Sequence, residues 1–244
     1  LTKSSHPQEG IQIIPPFSLL YISMIHDYFM LRDDPQFIRQ YLPGIRFILD
    51  WFVARIDDNG MLGPLPYWNH VDGGTKEFKA GSPPGIEEGG SAHLTLLLAY
   101  TLNHSVELFE NFGMNCDAEL YGNIAQKLLK ATNENCYDSE KGLFAETPEK
   151  SLFSQHTNAM AILSGATEGT QAKAVAEKMI RDSSLAQATL YFKFYVFQAL
   201  KQVGMGGIIP DRLEKWEAFL EKGFTTFPEH GIESRSDCHA WAAH

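Results

Sequence analysis

The chain has 244 residues, a formal net charge of -10 and 20 basic residues, with 44% hydrophobic and 20% charged residues. That length can bury a substantial core, and that composition excludes a disordered polymer. No two Lys or Arg are adjacent, which excludes a surface that tracks phosphates, so no nucleic-acid partner is expected.

Helical periodicity runs along almost the whole chain. Residues 17–32 repeat Leu20, Met24, Tyr28 and Leu31 at steps of three and four behind Pro16, which predicts a helix. Residues 33–56 follow with Asp34 as N-cap and Pro35 at the first helical position, and Pro43 with Gly44 predicts a kink or break. The clearest helix is predicted over 91–113, capped by Ser91, striped with Leu94, Leu97, Leu98, Leu102, Leu108, Phe109 and Phe112, and ended by Gly113. Another is predicted over 117–135, starting at Asp117. Then come 154–165, closed by Gly165; 170–182, capped by Thr170; 186–204, rich in aromatics; and 210–223, with Pro first and Gly last. A further helix begins at Ser236. No run of six or more residues alternates strictly, so no sheet is predicted.

The three cysteines, Cys116, Cys136 and Cys238, lack paired spacing, and their odd number argues against a disulfide framework; they read as buried thiols. No apolar run approaches the ~18 residues that span a bilayer, and no signal peptide is visible, so no membrane partner is expected. The chain starts without Met and stops inside a helix-like pattern, which reads as a piece of a longer protein whose compartment stays open.

Two long connections, 57–90 and 136–152, interrupt the helices, and loops of that length in a compact domain are usually functional. In the first, Trp68, Asn69, His70 and Asp72 offer a flat apolar face beside hydrogen-bonding groups, which suits a sugar ring; the alternative is a Trp packed on helix ends with polar groups capping backbone. The second cluster closes the chain. Glu229 follows Pro228 in a stretch too broken for a helix, with Glu233, Arg235, Asp237 and His239 behind it and Ser236 as a natural N-cap. A loop carboxylate flanked by His and Arg can be tuned for base work, or can be a solvated loop acid. Zinc-protease, dinucleotide, Walker and nucleophile-elbow patterns are absent, and no metal or cofactor is expected.

The segments GFTTFPEHGIESRSDCHAWAAH, YLPGIRFILDWF and YWNHVDGG resemble glycoside hydrolase family 78, the bacterial α-L-rhamnosidases, over essentially the whole chain. The most specific part is Thr-Thr-x-x-Glu followed by Ser-x-x-His-Ala. The resemblance implies an all-α fold, an (α/α)6 toroid of six hairpins, present here as one incomplete domain over 1–244 with about four hairpins and the start of a fifth. It implies hydrolysis of terminal α-L-rhamnosyl linkages with inversion, with Glu229 as general base and Trp68, Asp72 and His239 around the carbohydrate substrate; the local clusters add Asn69 and Arg235 as candidate binding residues. Pro228 and Gly73 stand where the family often has Trp. The family's general acid lies in an acidic segment preceding the region that starts here, so the chain alone is expected to be inactive and to self-associate through an open barrel edge. Another six-hairpin glycosidase or phosphorylase, or a non-catalytic helical-repeat binding protein, fits the same helices.

Overall fold

A computed structural model describes residues 12–73, 75–229, 231–232, 238 and 240–243 of the chain. Its described residues are dominated by α-helix: α1 (Pro15–Leu31), α2 (Pro35–Arg39), α3 (Leu42–Val53), α4 (Ala92–Asn111), α5 (Asn115–Cys136), α6 (Gln155–Leu163), α7 (Gly169–Arg181), α8 (Lys193–Gln202), α9 (Glu214–Glu221) and α10 (Ala240–Ala243). None of the described helices is long and apolar enough to cross a membrane.

Local chemistry sets many of the ends. Asp34 accepts a hydrogen bond from the Phe37 N–H at 3.1 Å, and Ser91 accepts one from Leu94 at 3.5 Å, so both act as the N-caps expected of them. Gly113 takes φ +73°, and the chain reverses there while Met114 N–H donates to Phe109 O at 2.8 Å, closing α4. Within 33–56 the break falls at residues 40–41, and Pro43 sits in the first turn of α3, where a missing N–H costs nothing.

Packing separates the helices into two kinds. α4 and α6 are buried round most of their circumference, whereas α5 and α7 bury one face and expose the other. The two mostly buried helices lie inside a succession in which α1 packs on α4, α4 on α6, and α6 on α8. α3, α5 and α7 lie against members of that row, with α5 clasped to α4 along its length. Phe109 of α4 stacks on Tyr121 of α5 at 5.6 Å, and the Tyr121 hydroxyl donates to Asp50 of α3 at 2.6 Å, so one side chain ties three helices.

Several expectations are corrected. A two-residue antiparallel hairpin, β1 (Tyr137–Asp138) with β2 (Leu143–Phe144), occupies part of the 136–152 connection; it is too short to show as alternation. α5 starts at Asn115, with Asp117 in its first turn, and α7 starts at Gly169 without a side-chain cap, so Thr170 is inside the helix. The predicted 210–223 helix is a 3-10 turn, Pro210–Arg212, followed by α9. The predicted 186–204 helix exists only as α8, from Lys193 onward. Cys136 is buried, with Sγ 4.0 Å from Met61 Sδ, but Cys116 and Cys238 are exposed.

Candidate active site

The 57–90 connection is a built loop. Val71 and Asp72 N–H groups both donate to Gly81 O, at 2.8 and 3.1 Å, pinching the chain between 70 and 81. Gly81 has φ +77°, and a Cβ there would lie 2.6 Å from His70 Cδ2, so both backbone angle and space require glycine. Trp68 is half-buried. Its indole N–H donates to Ala80 O at 2.9 Å, and its ring meets His70 edge-on at 4.8 Å. Tyr67 beside it is exposed and held at φ +73°, an unusual angle for a non-glycine residue. The loop's end meets the second long connection: Ala92 N–H donates to Glu146 O at 2.8 Å, and Gly90 faces Pro148.

Beneath this rim lies a polar core that the sequence does not announce. Asp72 is 0% exposed. Its Oδ2 lies 2.6 Å from His156 Nε2 and accepts the Thr189 N–H at 2.9 Å, while Oδ1 accepts the Thr189 hydroxyl at 2.5 Å. Burial alone would raise this carboxyl, but His156 and the two Thr189 donors outweigh it and hold it below the usual carboxylate range. Phe78 and Phe192 wall the His156 ring at 4.8 and 4.4 Å. His93, buried beside it, is pushed down to about 3 by burial and by His156. Glu146 is fully buried at the start of α6 and accepts a hydrogen bond from Ser154, the α6 N-cap; burial raises its carboxyl above the ordinary range.

Two residues expected at the sugar have their polar atoms engaged within the chain. Asp72 has no exposed surface with which to meet a sugar, and its oxygens already accept donors from α6 and from Thr189. Asn69 is 1% exposed and spends its side-chain amide N–H groups on the carbonyls of Leu65, Pro66 and Tyr67, which holds the loop's turn. Trp68 stays at the rim. Glu229 is half-buried behind a buried Pro228, and Tyr191, itself buried, is raised by burial and by the charges of Asp72 and Glu229. Tyr191 therefore lies within electrostatic reach of both carboxylates. Arg235 and His239 lie outside the described residues. His156, Thr189 and Tyr191 went unnoticed in the sequence; their roles depend on partners 84 and 117 positions away.

Two concavities bracket this core. One of about 10 Å³ lies among Leu20, His70, His93, Met160 and Tyr191, room for about one water molecule. The other, of about 800 Å³, is lined by Lys141, Phe153, Lys178, Arg181 and Leu185 and contains none of the predicted site residues.

No protein-family model and no curated protein matches the chain. Among solved structures, a family 78 rhamnosidase of Bacillus sp. GL1 superimposes with a TM-score of 0.81 at 20% identity, over 98% of this chain and 26% of that one. A rhamnosidase from Klebsiella oxytoca, solved with rhamnose bound, superimposes with a TM-score of 0.78 at 19% identity, over 94% of this chain and 45% of that one. The chain shares the fold of these rhamnosidases. It spans less than half the length of either. The rhamnosidase fold thus accounts for the all-helical architecture that family 78 resemblance implied. Glu229, Trp68 and the Asp72–His156 core are features of this chain within that fold.

Proposed function

We propose that the chain is part of an (α/α)6 toroid that hydrolyses terminal α-L-rhamnosyl linkages with inversion, with Glu229 as the general base. The observation that carries this reading is the superposition of nearly the whole chain on two rhamnosidases, joined to the half-buried Glu229 in its Thr-Thr-x-x-Glu segment.

In this reading Glu229 takes a proton from water on the face opposite the leaving group. Trp68 stacks on the ring or its methyl group, and Arg235 and His239 hold hydroxyls. Asp72 and Asn69 support the loop from within. Inversion needs a second carboxyl, the general acid, ~6.5–9.5 Å from the base. That acid comes from outside these 244 residues, so the isolated chain is inactive toward rhamnosides.

The test is stereochemical. Proton NMR of a full-length protein acting on an aryl α-L-rhamnoside should show the β anomer of rhamnose first, and the 244-residue chain should release none. Release of the α anomer first, or turnover by the isolated chain, would contradict the assignment of base and acid.

Assembly is part of the same reading. Met24, Met30 and Leu31 of α1 are exposed, Leu31 at 75%, and Tyr28 touches the exposed Phe37 of α2 at 5.0 Å. An apolar face of this kind usually finds a partner, and the isolated chain should self-associate; light scattering showing a concentration-independent monomer would remove that part.

A further inference from the structure

The segment leading into α8 is held by side chains that no step of the proposed reaction uses. Thr75 donates its hydroxyl to Gln187 O at 3.1 Å, and Thr189 delivers its N–H and its hydroxyl to the two oxygens of Asp72 at 2.9 and 2.5 Å. His156 fixes Asp72 from the other side at 2.6 Å. These residues precede the helix, so no ladder of i to i-4 bonds sets their position; the loop carboxylate does.

The next two residues face a different neighbour. Leu190 is buried in a small cluster with Phe219, and Phe224 and Phe227 pack against that cluster. Phe227 lies two positions before Glu229. Tyr191 is buried within electrostatic reach of both Asp72 and Glu229. Three consecutive residues, 189 to 191, therefore join an anchored carboxylate on one side to the segment that carries Glu229 on the other.

We propose that Asp72 is a positioning residue for Glu229, acting through Thr189, Leu190 and Tyr191, and that it does not touch the sugar. The inference rests on the reading of Glu229 as the base. Its physical content is that a base must sit within hydrogen-bond reach of its water, and a displacement of about 1 Å from a remote change can cost on the order of 10² in rate. A sugar hydroxyl could reach Asp72 only if its fully buried oxygens were uncovered, which would disturb the His156 and Thr189 contacts.

Two variants of the full-length protein test this. Asp72→Asn weakens the anchor outright, and Thr189→Val removes one donor while leaving the His156 contact and the backbone bond intact, so it serves if Asp72→Asn does not fold. Each should lower kcat on an aryl α-L-rhamnoside by about tenfold or more with KM within about threefold of wild type. Each should also move the Glu229 carboxyl titration, read by carbon-13 NMR, and Thr189→Ser should restore both readouts. A raised KM with kcat unchanged would overturn the proposal and return Asp72 to the sugar. A Glu229 titration unmoved in both variants would overturn it as well. If the wild-type protein cleaves no rhamnoside, the reading of Glu229 as base fails by itself, while the titration still decides whether Asp72 governs Glu229.

Discussion

The α4–α5 hairpin and the stretch 186–192 both contribute to the buried interior, and they are built in different ways. In the hairpin many polar bonds are local: Ser91 caps its own first turn, and the hydroxyls of Thr95, Thr101, Ser105 and Thr132 return to carbonyls four residues back, while Asn103, Tyr121 and Asn133 reach Ser164, Asp50 and Ala166. In 186–192 they reach across the chain. Ala186 N–H donates to Phe153 O, Ala188 N–H to the Gln155 side chain, and Thr189 to Asp72. The helical turns of the hairpin close on their own residues; the stretch takes its shape only when the loop and the start of α6 arrive beside it. One region carries the fold and the other carries the site.

Substitutions can separate the two. The largest effect is expected in the hairpin, where Phe109→Ala removes a fully buried ring stacked on Tyr121 and should cost about 3–5 kcal/mol in urea unfolding. Gly81→Ala acts on the loop. It forces a side chain onto a backbone at φ +77° and against His70, and should cost about 1–3 kcal/mol. Hydrogen exchange should then show protection lost around 70–81 and 186–192 but kept in α4 and α5; loss spread evenly over the molecule would erase the distinction. Ser91→Ala removes a cap whose action is local and should cost about 1 kcal/mol, with exchange rising only at the start of α4.

Acid should act on both regions through buried histidines. His104, stacked on His26 at 4.0 Å between α4 and α1, is pushed down to about 3 by burial and by His26, and His93, at the start of α4 where it meets His156 and Phe192, also sits at about 3. A histidine whose folded value lies below its unfolded value contributes stability that is complete above about 6.5 and is lost as pH falls toward 3, because the unfolded chain binds the extra proton. His26 runs the other way. Burial lowers it, but its contacts with Asp27 and Glu107 outweigh burial and raise it, so its contribution is present below about 6.5 and fades as pH rises through the folded value. Melting temperatures measured from pH 7 to pH 4 should fall, and His104→Gln should flatten that fall. An unchanged slope in the variant would assign the acid sensitivity elsewhere.

The same contrast explains what could be read from the residues alone. The stripe and caps of α4, the Asp34 cap and the Gly113 stop are short-range patterns, and each appears in the structure. The helix predicted over 186–204 begins only at Lys193, because the residues before it bond to distant groups. Their backbone groups are claimed by Asp72, Gln155 and Phe153, which no local window contains. Asp72 was noticed for its company, Trp68 and His70, and assigned to the sugar; its burial depends on His156, 84 residues further on. Thr170 looked like a cap and lies one residue inside α7.

The most direct test of the account is Glu229→Gln in the full-length protein, assayed on an aryl α-L-rhamnoside. The account predicts a folded protein with nearly unchanged KM and a kcat lowered by about 10² or more, the scale of a lost general base. A variant that hydrolyses the substrate at close to the wild-type rate would contradict it and place the base elsewhere.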